Sequence, residues 1–188
     1  MRPEILYAVE RSGHAVWDRG ELDLNLNLIA VRRRGRNPDG YTGQMHAVYR
    51  RGGEWVEHRW PCTTVPHRRY LLEPLHPDGT AVLRPGQHRG HWHLGQHAPG
   101  KAWEHLALVQ DSERGPVQVW RDSDRDGIVD PSALTFDAFG INIHAGTASA
   151  GCVILPHREH LDHLVRLCLE STGAGWGDHF TLTLLESP

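Results

Sequence analysis

From Leu22 to Leu28, leucines alternate with Asp23, Asn25 and Asn27, a period of two that predicts a strand with its polar side chains outward. The pattern runs on through Ile29, Ala30 and Val31 into Arg32-Arg33-Arg34, read as a solvated strand end, and a loop at residues 35–40. Residues 45–50 and 53–60 form a hairpin that turns on Arg51-Gly52-Gly53. Pro61, Pro66, Pro74, Pro77 and Pro85 then cut the chain into short pieces, among them the apolar triplet Ala81-Val82-Leu83. Residues 105–110 and 116–121 are two further strands, and 179–185 a last alternating one. The helical period shows at two places. Residues 3–11 carry Ile5, Leu6 and Val9 on one face, with Gly13 ending the turn. After Pro156, suited to a first helical position, Leu161, Leu164, Val165 and Cys168 follow at i, i+3, i+4 and i+7, and glycines at 173–177 end the run. The expected architecture is mainly β, a single sandwich or mixed-sheet domain over residues 1–188. A short helical extension occupies residues 1–21, and one helix follows the strand at residue 153.

Composition narrows the function. With 188 residues the chain is long enough for a real core, and its net charge of −3 argues against a general nucleic-acid binder. Lys101 is the only lysine, which reads as a coding bias toward arginine. No apolar run approaches the roughly 20 residues of a membrane span. The N-terminus lacks a long apolar core followed by a cleavage site, so no export signal is expected. Cys62, Cys152 and Cys168 are too few and too odd in number for a disulfide framework. Cys62 falls at a strand end and Cys168 on an apolar helix face, so both read as buried small hydrophobes. Cys152 alone has small, polar neighbours.

Three constellations carry chemistry. In residues 141–155 an apolar run delivers His144 into a loop of Gly, Ala, Ser and Thr, and Ser149-Ala150-Gly151-Cys152 opens a second apolar run. A thiol needs a base to be nucleophilic near neutral pH, and an adjacent histidine supplies one. Gly151 permits a tight turn in which backbone N–H groups face a developing oxyanion. The second constellation is His88, His91, His93, His97 and His105; it lacks the spacing that makes zinc specific and reads as solvent- or groove-facing. The third is Asp122, Asp124, Asp126 and Asp130 with Gly127, which matches the first part of a calcium loop. Its twelfth position is Ala133 where a Glu belongs, so a polar turn capped by Asp side chains is the preferred reading and calcium the only cofactor candidate.

The 141–155 segment resembles the catalytic signature of the L,D-transpeptidase (YkuD-like) family, in which a histidine on one strand precedes a Ser-His-Gly-Cys element opening the next. Residues 116–155, with Val117-Gln118-Val119-Trp120-Arg121-Asp122, the Asp-rich segment, Gly140-Ile141-Asn142-Ile143-His144 and Ser-Ala-Gly-Cys, follow the order of a phage-associated and bacterial branch. The resemblance covers about residues 60–186. It implies an enzyme acting through a cysteine thioester on the peptide stems of peptidoglycan, with Cys152 as nucleophile and His144 as its base. Ser149, Gly151 and the backbone near Ala150 would shape the pocket and orient the histidine, and Gly146, Ala150, Arg89 and His97 would meet substrate. Ala150 stands where the family has histidine and Ile154 where it has arginine, and the His-to-Cys separation is short. Arg89 or Arg121 could substitute for that arginine in holding a substrate carboxylate. Release by transfer to an amine and by hydrolysis both fit, and delivery would follow phage-type release or other export machinery. Two rivals remain: a noncatalytic cell-wall-binding module on the same fold, and a histidine-ligated metallohydrolase.

Overall fold

A computed structural model describes residues 1–18, 23–33, 39–129, 133–137 and 140–187, with the backbone alone at 133–137. Arg34, the loop at 35–38, Leu22 and Asp130 lie outside the described residues. The strands are β1 (Asn27–Arg33), β2 (Gly43–Arg51), β3 (Glu54–Cys62), β4 (Thr80–Leu83), β5 (Gly86–His97), β6 (His105–Gln110), β7 (Val117–Asp122), β8 (Ala133–Asp137), β9 (Ile143–Ala145), β10 (Val153–Leu155) and β11 (His179–Ser187). The helices are α1 (Glu4–Arg11), α2 (Arg68–Leu72) and α3 (Arg158–Gly173). The fold is mainly β with a mixed sheet and a late helix, as its pattern predicts. None of the helices among the described residues is long and apolar enough to cross a membrane.

Eight strands form one sheet in the order β10-β9-β6-β5-β11-β1-β2-β3, and β4-β7-β8 form a second. Pairing is antiparallel except at β1/β11 and β9/β10. The large sheet bends until its outer strands meet: just past β3, Thr63 N–H donates to Ile154 O and Ile154 N–H to Thr63 O, each at 2.9 Å. This exchange covers an edge of β10 that would otherwise be open for pairing.

Period-two alternation decides the faces. Leu28, Ala30, Ala47, Tyr49, Leu182 and Leu184 point into the main core, where they meet Ala81, Leu83, Val117 and Val119 of the small sheet. The alternate residues Ile29, Val48 and Leu185 point to the other side and are capped by Leu6 and Val9 of α1. The N-terminal helix is therefore packed on the sheet. The predicted stripe Leu161, Leu164, Val165 and Cys168 of α3 is buried in the main core. The hairpin turns on Gly52 and Gly53, both with positive φ (60° and 81°), which suits a two-residue turn between twisted strands.

Four expectations are corrected. The first strand begins at Asn27, because Leu24 takes a left-handed φ of 67° and breaks the alternation. Asn27 is buried, its side chain bonding both main-chain groups of Trp17 and Val48 O. Arg32 is also buried; its guanidinium donates to Thr64 Oγ1, Thr64 O and Leu83 O at 2.8–3.0 Å, tying β1 to the 63–65 segment and β4. Helix α3 starts at Arg158 with His157 as its cap, two residues beyond Pro156. Strand β5 has no apolar alternation, yet its position between β6 and β11 satisfies its backbone on both edges.

Candidate functional site

The loop joining β9 to β10 has little freedom. Ser149 is buried, its hydroxyl donates to Cys152 O (3.1 Å) and accepts from Gly151 N–H (2.8 Å), and its carbonyl accepts from His67 N–H (2.9 Å). Tyr41 OH donates to Gly146 O at 2.6 Å. Ser149 thus braces the turn and makes no bond to His144, which corrects its expected orienting role. Gly151 has a φ of 133°, and a Cβ there would lie 2.5 Å from Ala81 O. Gly151→Ala is therefore expected to lower stability by roughly 2–4 kcal/mol, from backbone strain and overpacking together, with a lowered urea midpoint at unchanged m-value as the readout. A midpoint within error of wild type would show that the Ala81 segment yields freely.

The parallel register of β9 and β10 pairs Ile143 with Val153 and His144 with Ile154. Cys152 therefore stands opposite Asn142, and its sulfur accepts Asn142 N–H at 3.3 Å while the thiol reaches Gly140 O at 3.7 Å. Ile143 and Val153 go to the core, so His144 and Cys152 share the opposite face, on adjacent strands and two positions apart. No hydrogen bond joins them: His144 Nδ1 donates to Ala145 O at 2.9 Å. The expected thiol–imidazole contact is not formed in this state, because the sulfur is engaged by residues 140 and 142. Cys152 is half-buried, whereas Cys62 and Cys168 are fully buried. Burial pushes the Cys152 thiol up, against a pull downward from Asn142 N–H and the Ser149 hydroxyl. The N–H of Gly151 is taken by Ser149, so it is not an oxyanion donor; Cys152 N–H makes no hydrogen bond among the described residues.

His144 is 6 % exposed, and burial, then its histidine neighbours, push its imidazole down to about 4. With Nδ1–H committed to a carbonyl, the neutral ring keeps its lone pair on Nε2. It lines a cavity of about 680 Å³ with His97, His105, Tyr70, Trp103, Glu104, Gly146 and Arg158 among the walls. The His97 ring stacks on His144 at 3.8 Å and 13°, and His105 lies 5.2 Å from His97 and 6.1 Å from His144, ring centre to ring centre. The Cys152 sulfur is on the same face but does not line this cavity.

Other predicted residues fall elsewhere. Ala150 lines a separate cavity of about 270 Å³ with Arg121, whose guanidinium donates to Gly79 O at 2.7 Å. Arg89 is exposed, donates to Gln87 Oε1 and lies over the Trp17 ring, away from the His144 cavity. The cavity's cation is Arg158, whose Nε donates to Asp162 at 2.7 Å. Sequence reasoning missed it, and missed Tyr70 and Glu104, because each comes from a turn or helix end that only folding brings to β9. Of the histidine cluster, His97 and His105 join the site. His88 is buried and bonds Arg84 O, and His93 stacks on His179.

The ligand oxygens of Asp122, Asp124 and Asp126 lie within 4.8 Å of one another, the one such grouping among the described residues. Asp124 Oδ1 accepts from Asp126 N–H and Asp126 Oδ1 from Ile128 N–H, the capped-turn geometry expected of Asp side chains. No family model matches the chain, and no curated protein or solved structure matches it either.

Proposed function

We propose that the chain is a cysteine-dependent enzyme that cleaves or transfers the peptide stems of peptidoglycan, as its L,D-transpeptidase-like signature implies. The observation that supports this reading most is the shared face of β9 and β10. There a half-buried thiol, already polarised by Asn142 N–H, stands one strand from an imidazole whose Nδ1 is committed and whose Nε2 is free.

In the forward step the thiol leaves Gly140 O and its proton passes to His144 Nε2. The sulfur then forms a bond to the amide carbonyl carbon, and the tetrahedral oxyanion meets the unbonded Cys152 N–H. Collapse breaks the C–N bond, His144 returns the proton to the departing amine, and a thioester remains on Cys152. An amine or water then attacks that carbonyl, giving transfer or hydrolysis and restoring the thiol. Apo hydrogen bonds of this kind commonly form only with substrate in place.

The second reading, a histidine-ligated metallohydrolase, draws on the close packing of His97, His105 and His144. No three of their possible ligand atoms come within 4.8 Å of one another, which favours the thiol. Incubating the protein with purified peptidoglycan should give new muropeptides by mass, and acid quenching should trap an acyl adduct on the Cys152 peptide. Turnover that chelators abolish, with no adduct on Cys152, would overturn the thiol mechanism in favour of metal. Binding without turnover would favour a wall-binding module.

A further inference from the structure

Among the described residues, Asn142 bonds both the Cys152 sulfur and a histidine of the cavity, His97. Its N–H is on the Cys152 sulfur, its carbonyl accepts Val153 N–H at 2.9 Å, and its side chain faces β6 and β5. The orientation of that side-chain amide is decided by chemistry. Gln110 N–H can only donate, and it points at Asn142 Oδ1 from 3.0 Å. The amide NH₂ must then face His97 Nδ1, which it does at 3.0 Å. Two N–H groups cannot face each other, so His97 Nδ1 is the acceptor and its proton sits on Nε2. Gln110 in turn is held by Ile141 N–H on its Oε1 (2.8 Å), and Trp92 Nε1–H holds Ile141 O at 2.8 Å. The buried Trp92 and Gln110 thus fix the strand that carries the amide.

Resting on the thiol–imidazole reading above, we propose that Asn142 is a positioning residue that locks His97 as the neutral Nε2–H tautomer. An uncharged donor, and not a second cation, is thereby kept stacked on the His144 base. When His144 takes the thiol proton it becomes an imidazolium, and a charged ring 3.8 Å away would oppose that step. A neutral ring does not.

The other groups facing His97 are His105 from β6, with its Nδ1 bonded to Trp103 O, and His144 from β9. Glu104 and Trp103 from the β5–β6 turn, Arg158 of α3 and Tyr70 of α2 line the same cavity. Glu104 Oε2 accepts from Gly100 N–H and Arg158 Nε donates to Asp162. Burial pushes the His97 imidazole down, in the same sense as the lock.

Nitrogen-detected NMR of the histidine rings at pH 7.5 should show His97 protonated on Nε2 alone. In Asn142→Asp, which keeps the shape but replaces the donor with an acceptor, His97 should carry protons on both nitrogens at the same pH. Alkylation of Cys152 by iodoacetamide should slow about tenfold in that variant. Asn142→Ala should slow alkylation by a similar factor in the wild-type background and hardly at all in a His97→Ala background, since Asn142 acts through His97. A wild-type His97 protonated on Nδ1, or equal losses in both backgrounds, would overturn the proposal. If the ring signals and the cycle behave as stated while no peptidoglycan peptide is turned over, the lock stands and the substrate reading alone falls.

Discussion

Cys152→Ala is expected to release no muropeptide above the blank while unfolding within a few degrees of the wild type. The sulfur makes two weak hydrogen bonds, to Asn142 N–H and Gly140 O, so truncating it removes about 1 kcal/mol of net bonding and leaves one backbone donor to water or a shifted neighbour. The chemistry has no such slack. An alanine carries no nucleophile, and no other thiol replaces it: Cys62 and Cys168 are 0 % exposed, and burial holds Cys62 up at about 12. For the same reason, a brief iodoacetamide pulse on the native protein should modify one cysteine, identified by peptide mass as Cys152. Turnover retained by Cys152→Ala would remove the mechanism outright.

The second large effect belongs to His144. His144→Gln keeps a side chain of similar reach and removes the base, and a loss of about 10²- to 10⁴-fold in kcat is expected, with KM nearly unchanged. The pH behaviour distinguishes a base from a packing residue. In the folded protein the imidazole titrates near 4, below its ordinary 6.5, so the neutral form that can accept a proton persists well into the acid range. The acid limb of the rate should therefore sit near pH 4.

Stability carries the same signature with a definite sign. The folded value is depressed, so between pH 6.5 and 4 the unfolded chain binds the proton and the folded one does not. Stability from this group is complete above pH 6.5 and falls as pH drops through the window, by about 3 kcal/mol in all. His46, His88 and His97 are pushed down too, by burial first, so the quantity to measure is wild type minus His144→Gln. Equal urea midpoints for the pair at pH 7 and pH 4.5, relative to each other, would show that His144 is not held neutral by the fold.

What could be read along the chain was whatever depends on local period. The hairpin at Gly52-Gly53, the stripe of α3, the strands around 105–121 and the two apolar runs flanking the His144–Cys152 loop all follow from side-chain alternation and turn chemistry. So does the need for glycine at 151, though the atom that enforces it, Ala81 O, comes from the second sheet. The full extent of strand β5 escaped because glycine and histidine have little intrinsic strand preference; its two neighbours impose the conformation.

Polar side chains mark the boundary most sharply. Arg32 and Asn27 look like solvent-facing residues in the sequence, yet each is buried because carbonyls from distant segments converge on its donors. At the site, residue types sufficed to single out Cys152 and His144. Only the tertiary structure decided that they share a face with no hydrogen bond between them, that Ser149 braces the loop, and that His97 and His105 crowd His144 while Arg89 does not. A thiol and an imidazole are chemical identities that a sequence carries directly. Which tautomer a ring adopts, and how far a thiol sits from it, depend on donors and acceptors tens of residues away that meet only when the sheet closes.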